Sequence, residues 1–228
     1  MSGEINGAVI PVAVHGEKPE SLTAIFQENV NLAIWQRTLP TQVTEFATRF
    51  ALEARRFERF LGLDAEDDLN QILPGWALEL PGASAWLNDV QELIEMYRCL
   101  FEPAAVGVRL HVLPTTMCPR FHTDRVPTRL LVTYSGRGTE WLPERIINRR
   151  NEPGPLPDQE VNDRDIQVMP TGAVCLLKGE AWVGNEGRGV VHRSPAPSAQ
   201  PRLVLGLDWC RVTLKLDKNR RYLHALLD

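Results

Sequence analysis

The sequence predicts an α+β protein in which N-terminal helices brace an antiparallel β-sandwich or barrel, and three features predict it. The composition, 43% hydrophobic and 24% charged over 228 residues, is that of a globular chain long enough to bury a core without disulfide staples. Up to about residue 103 the apolar residues recur at helical spacing. From Val106 onward the period drops to two, in short β-rich runs punctuated by Gly, Pro, Asn and Asp. Such runs, with no helices between them, favour antiparallel pairing, because a parallel pair needs a long crossover.

Near the N-terminus, "AIFQENVNLAIWQR" is expected to be extended and then to turn into a helix. The stretch "TQVTEFATRFALEARRFERFLGL" spaces Val43, Phe46, Phe50, Leu52, Phe57 and Leu61 for a first amphipathic helix. A second follows in "ASAWLNDVQELIEMYRCLF", with Trp86, Val90, Leu93, Ile94, Tyr97 and Leu100 on its apolar stripe. Residues 1–103 are thus expected to be a mainly helical region packing on the barrel. The barrel itself occupies 104–213, where "VGVRLHVLP", "RLLVTYSG", "GAVCLLKGE", "RGVVHRSP" and "RLVLGLDWCRVTLKL" are the expected strands. Pro143 to Gln167 interrupts them with a polar, charged, Pro-rich segment, either a lid or partner-binding loop or, as charged loops more commonly are, a solvated insertion. Residues 214–228, ending "KNRRYLHALLD", are expected to form a helical tail that caps the fold or makes a dimer contact.

Several classes of function are disfavoured at once. The formal charge of -4 and the lack of a basic run with interleaved aromatics argue against nucleic acid as a partner. No apolar segment reaches 18 residues, and the opening "MSGEINGAVIPVAVHGEKPE" lacks the charged start of a signal peptide, so a cytoplasmic protein away from the membrane is expected. Cys99, Cys118, Cys175 and Cys210 form no Cys-x-x-Cys pair and are expected to be reduced, buried, small apolar residues.

Chemistry concentrates around "CPRFHTDRVPTRLLVTYSG", Cys118 to Gly136. On a strand, His122 and Asp124 project from one face, because side chains alternate. The triplet alone is weak evidence for a metal site. His192, however, closes the run "RGVVHRSP", and ten residues later Arg202 opens "RLVLGLDW". Two histidines and a carboxylate make a facial ligand set with open coordination positions, as in non-haem Fe(II) sites. A guanidinium at the mouth of so apolar a strand needs a carboxylate, from the protein, such as Asp208 or Glu180, or from a ligand. The competing reading makes His122 a satisfied strand histidine and pairs Asp124 with Arg125 or Arg129. His15, His111 and His224 lack comparable company and are expected to be structural or exposed. Regular alternation would also bring Cys118 to the face of His122 and Asp124, where a thiolate favours zinc, unless Pro119 breaks the alternation.

The order His-x-Asp, strand, "GRGTEWLP", "PTGAVCLLKG", distal histidine and an arginine ten residues on resembles the Fe(II)/2-oxoglutarate-dependent oxygenase superfamily over about residues 104–213. The resemblance implies a double-stranded β-helix, a cupin-like jelly roll, with helices bracing one face. It implies that His122, Asp124 and His192 ligate Fe(II), that Arg202 holds the distal carboxylate of 2-oxoglutarate, and that Tyr134 or Thr133 adds a hydroxyl contact. The implied reaction couples oxidative decarboxylation of 2-oxoglutarate to hydroxylation of a substrate, with Trp141 and Trp182 lining the pocket or filling the core. Val204 stands two residues after Arg202, where many members of that superfamily carry a hydroxyl. The arginines Arg120, Arg125, Arg129, Arg188 and Arg193 suit an anionic substrate or simply face solvent. The whole chain also resembles the bacterial family known as domain of unknown function 1826, whose genes occur beside zinc-homeostasis and metallochaperone GTPase genes. That resemblance implies the alternative of a non-catalytic cupin-like zinc-binding protein in metal homeostasis, partnered by such a GTPase and holding zinc through the triad and Cys118. A barrel that has lost its activity and serves as a scaffold is the third reading.

Overall fold

In the computed structural model, which describes residues 9–64, 67–149 and 156–210, two facing β-sheets form a jelly roll with helices packed on one outer side. In chain order the elements are β1 (Val12–Gly16), β2 (Val30–Trp35), α1 (Thr41–Ala54), β3 (Phe57–Leu63), α2 (Gly75–Leu78), α3 (Ala83–Phe101), β4 (Ala105–Leu113) and β5 (Thr128–Ser135). They continue as β6 (Glu140–Trp141), β7 (Gln167–Val168), β8 (Val174–Lys178), β9 (His192–Arg193) and β10 (Arg202–Cys210). The large sheet runs β1-β2-β8-β5-β10-β4-β3, and the small one β7-β6-β9. Every pairing is antiparallel except β1 with β2.

Period-two alternation divides the large sheet into two faces with different duties. Val106, Val108, Leu110 and Val112 of β4, Leu130 and Val132 of β5, and Leu203, Leu205 and Leu207 of β10 face the helices in one core. Their alternates, among them Arg109, Arg129, Thr133, Arg202 and Asp208, line the concave face that looks toward the small sheet. At the β2–β8 end that interior is filled by Leu32, Ile34, Trp141, Met169, Cys175 and Leu177.

The helices form for the reasons their patterns suggest, but α1 is shorter than its pattern. Val43, Phe46 and Phe50 are buried against α3, whereas Leu52 is 54% exposed and off the apolar stripe. The helix stops at Arg55, which sits at φ 57 in the left-handed region, and Phe57–Leu63 then pairs with β4 as an edge strand. Phe57 and Leu61 are four apart, a spacing that puts two residues on one face of a helix and equally on one face of a strand, so the pattern does not separate the two. Residues 9–64 therefore add three strands to the large sheet as well as a helix. In α3, Trp86, Val90, Leu93, Ile94 and Tyr97 are buried, each contributing about 2 kcal/mol.

One polar group interrupts that stripe. Asp89 accepts both Arg37 terminal nitrogens, at 2.6 and 2.8 Å, and the Tyr134 hydroxyl at 2.5 Å. Burial and the Asp89 carboxylate both raise the Tyr134 pKa. Tyr134 therefore faces the helices, not the concave side, and its hydroxyl is committed to α3. Replacing Tyr134 with Phe should cost about 1–2 kcal/mol in urea unfolding.

The described parts of segment 143–167 are not a merely wet insertion. Ile146, Ile147, Leu156, Val161 and Ile166 pack on Phe121, Leu142 and Val191, covering the outer face of the small sheet. Cys175 is buried, Cys118 and Cys210 are half-buried and Cys99 is exposed on α3, so the expectation of four buried thiols holds for one. The expected tail at 214–228, with His224, lies outside the described residues. Among the described residues no helix is long and apolar enough to cross a membrane.

Candidate metal centre

His122 and His192 are brought together by backbone pairing, 70 residues apart in sequence. Each amide N–H donates to the other's carbonyl at 3.0 Å, an isolated bridge that extends the small sheet beyond β9. The imidazole rings lie 4.6 Å apart between centroids. Each Nδ1 is 3.0 Å from the carbonyl two residues earlier, Arg120 for His122 and Val190 for His192. A carbonyl only accepts, so the proton of each neutral ring sits on Nδ1 and both Nε2 lone pairs are left for a metal.

Asp124 completes the set from a non-strand segment, not from regular alternation with His122. Its Oδ1 is 3.9 Å from His122 Nε2 and its Oδ2 is 3.5 Å from His192 Nε2. All three ligand atoms lie within 4.8 Å of one another. Adjacent donors around an ion with bonds of about 2.1 Å stand about 3 Å apart, so a small inward movement would close the set. His192 is buried and His122 is 36% exposed, which opens the cluster to solvent on one side only. Burial lowers the His192 pKa; Asp124 opposes that, and His122 reinforces it. Burial alone would raise the Asp124 pKa, but His192, Arg129 and His122 together hold it below the ordinary carboxylate range. The site is thus poised with His192 neutral and Asp124 ionised.

What holds Asp124 in place comes from behind it. Arg129 Nη1 donates to Asp124 Oδ2 at 2.8 Å, while its Nε and Nη2 reach Asp208 at 2.6 and 3.0 Å. Asp208 also accepts Arg109 Nε at 2.7 Å. The Asp124 carbonyl accepts the Glu180 N–H at 2.8 Å. A Cβ on Gly179 would meet the Val126 carbonyl oxygen at 2.0 Å, so only glycine lets the two backbones come this close.

Arg202 lies on the concave face, 8% exposed, with Nη2 donating to Thr139 Oγ1 at 3.0 Å and Thr133 Oγ1 at 3.4 Å. Its Nε is buried with no hydrogen-bond partner. Among the described residues no carboxylate forms an ion pair with it: Asp208 is taken by Arg109 and Arg129, and Glu180 accepts the amides of Gly187 and Gly189. Burial pulls its pKa down to about 10, with Glu140 only partly offsetting the loss of hydration. Gly136, at φ 77, makes the room: a Cβ there would stand 3.0 Å from Arg202 Cγ.

With this geometry in view, comparison with known proteins becomes informative. Residues 16–208 match the family described as "Protein of unknown function (DUF1826)". The chain belongs to the DUF1826 family. No curated protein matches it by sequence. Among solved structures, JOX2 in complex with 2OG, Fe and JA is 12% identical and covers 87% of this chain and 74% of its own, with a TM-score of 0.50. The dioxygenase for auxin oxidation 1 from Arabidopsis thaliana, as a 2-oxoglutarate binary complex, is 10% identical with coverages of 90% and 95% and a TM-score of 0.48. A Pseudomonas putida prolyl-4-hydroxylase is 13% identical with coverages of 84% and 97% and a TM-score of 0.44. At such identities the JOX2 likeness is one of fold, and the lower scores add nothing further.

In this DUF1826 chain, then, His122, Asp124 and His192 converge, and Thr133 touches Arg202. Tyr134 does not join them, and Cys118 is outside the ligand cluster, its carbonyl accepting the Ser194 amide at 2.9 Å. Trp141 is in the barrel core, while Trp182 packs with Phe26 and Phe101 under Lys178, away from the metal cluster. The suggested arginine cluster disperses: Arg120 pairs with Asp158, Arg193 pairs with Glu140, and Arg188 donates to backbone carbonyls. The residues that composition and spacing did not reveal are Thr139 and the Arg129–Asp208–Arg109 chain. The two arginines and the aspartate have one local signal, charge at alternating positions of otherwise apolar strands; Thr139, between β5 and β6, has none.

Proposed function

We propose that this protein is a non-haem Fe(II)/2-oxoglutarate-dependent oxygenase of the hydroxylase type. The observation that carries the reading is Arg202, a buried cation with an unpartnered Nε on the same interior face as the metal cluster. Such a group is costly unless an anion meets it, and the donor set His122, Asp124 and His192 is the one that leaves open positions on ferrous iron. Those three residues would hold the ion, and Arg202 with the Thr133 and Thr139 hydroxyls would hold a carboxylate of 2-oxoglutarate. When bound, the ion and cosubstrate supply oxidative decarboxylation coupled to oxidation of a substrate C–H bond. The chain's own residues orient the cosubstrate, leave both imidazole Nε2 atoms free for the ion and hold Asp124 ionised. JOX2, whose fold this chain shares, is described with 2OG and Fe bound.

The test is spectroscopic. Anaerobic addition of Fe(II) and then 2-oxoglutarate should give a weak visible metal-to-ligand charge-transfer band, lost in His122→Ala. A fully iron-loaded protein that shows no band would sink the proposal, and tight zinc binding without 2-oxoglutarate affinity would favour a non-catalytic metal-holding role.

A further inference from the structure

We propose that Arg109 anchors a carboxylate group of the substrate beside the metal centre, an inference that rests on the oxygenase reading above and assigns the substrate class for that same site. Strand alternation puts Arg109 on the concave face, since its neighbours Val108 and Leu110 face the helices. In register it stands opposite Gly206 on β10 and Phe60 on β3. Two contacts hold its guanidinium in place: Nε donates to Asp208 Oδ2 at 2.7 Å, and the group lies 4.6 Å over the Phe60 ring. Its terminal Nη1 and Nη2 have no hydrogen bond among the described residues, and the side chain is 34% exposed. A guanidinium held at its Nε edge and face, with its outer edge open, is built to take a planar anion.

Its placement relative to the metal cluster is set by the same salt-bridge chain. Asp208 Oδ2 accepts both Arg109 and Arg129, and Arg129 reaches Asp124. Arg109 is therefore one carboxylate and one guanidinium away from a metal ligand, on the same concave face. The Phe60 ring is itself fixed from below, packing over Gly107, where a Cβ would stand 3.2 Å from the ring. His111, next along β4 on this face, has its pKa lowered by burial, raised by Glu58 and lowered again by Arg109, and adds a neutral imidazole to the same wall.

The experiment uses the Fe(II)- and 2-oxoglutarate-loaded protein under anaerobic conditions, with phenylacetate and its neutral isostere phenylacetamide titrated by calorimetry. The acid should bind at least about tenfold more tightly than the amide. Arg109→Gln should erase that preference while keeping the charge-transfer band and the circular dichroism of the parent, and Arg109→Lys should keep part of it. Equal binding of the two probes, binding of neither, or a preference that survives in Arg109→Gln overturns the proposal. Loss of the band in the parent protein is a different failure, that of the oxygenase reading, so the two are separable.

Discussion

Replacing Arg202 with methionine should weaken 2-oxoglutarate binding by roughly 30-fold to 1,000-fold, because truncating one partner of a buried charge pair costs about 2–4 kcal/mol. Metal affinity should stay within about twofold, since Arg202 makes none of the contacts that hold the three ligands. A second outcome separates this from a structural role. In the metal-free protein Arg202 is a buried cation without an ion-pair partner among the described residues, so exchanging it for an apolar chain of similar length should leave thermal stability unchanged or raise it. The sign follows from its pKa. Because burial brings the folded-state value down to about 10, the burial cost is fully present at neutral pH and is relieved only as pH rises through that value. Melting temperatures with and without 2-oxoglutarate check both statements: the parent should be stabilised by the cosubstrate and the variant should not.

Arg129→Gln should lower divalent metal affinity by roughly 10- to 100-fold, the usual cost of losing the partner that orients a ligand. It should also destabilise the fold by about 3 kcal/mol, because Asp208, 2% exposed, keeps only its bond from Arg109. The strength of this clamp shows in the Arg129 pKa, which burial would lower but which Asp208 and Asp124 hold raised. The companion variant Arg129→Gln with Asp208→Asn removes the stranded charge and should recover much of the stability without recovering metal affinity. Urea unfolding and competition titration with Co(II) read the two effects apart. Recovery of metal affinity in the double variant would show that Arg129 acts on the fold alone.

Much of the candidate site was legible because its residue types are chemically specific and their surroundings are not. A histidine and an aspartate two apart, a lone distal histidine and a cation opening an apolar strand stand out against period-two runs of Val and Leu. The helices of the convex face were legible for the same reason, their stripes being long. The edge strand β3 was not, because a four-residue spacing satisfies both periods and because its pairing with β4 is a contact between distant residues. Of the two hydroxyls that the resemblance offered, Thr133 reaches Arg202, whereas Tyr134 shares parity with Leu130 and Val132, which face the helices. The packing of segment 143–167 was not legible, because its apolar side chains are spread among charges and find their cover only against Phe121, Leu142 and Val191.

By itself the sequence determined which atoms were available: two imidazoles, one carboxylate and a guanidinium, within or beside the short runs of a mainly antiparallel β-fold. Only the tertiary structure decided that the two histidines meet beside Asp124 and what grips that carboxylate. It also decided which arginines are spent on internal pairs and which, Arg202 and Arg109, keep an edge open. The reason is that side-chain identity and local periodicity are short-range properties. Clamp, charge pairing and the meeting of the two histidines depend instead on the register between segments some 70 to 80 residues apart, Arg129 with Asp208 and His122 with His192, which no local pattern encodes.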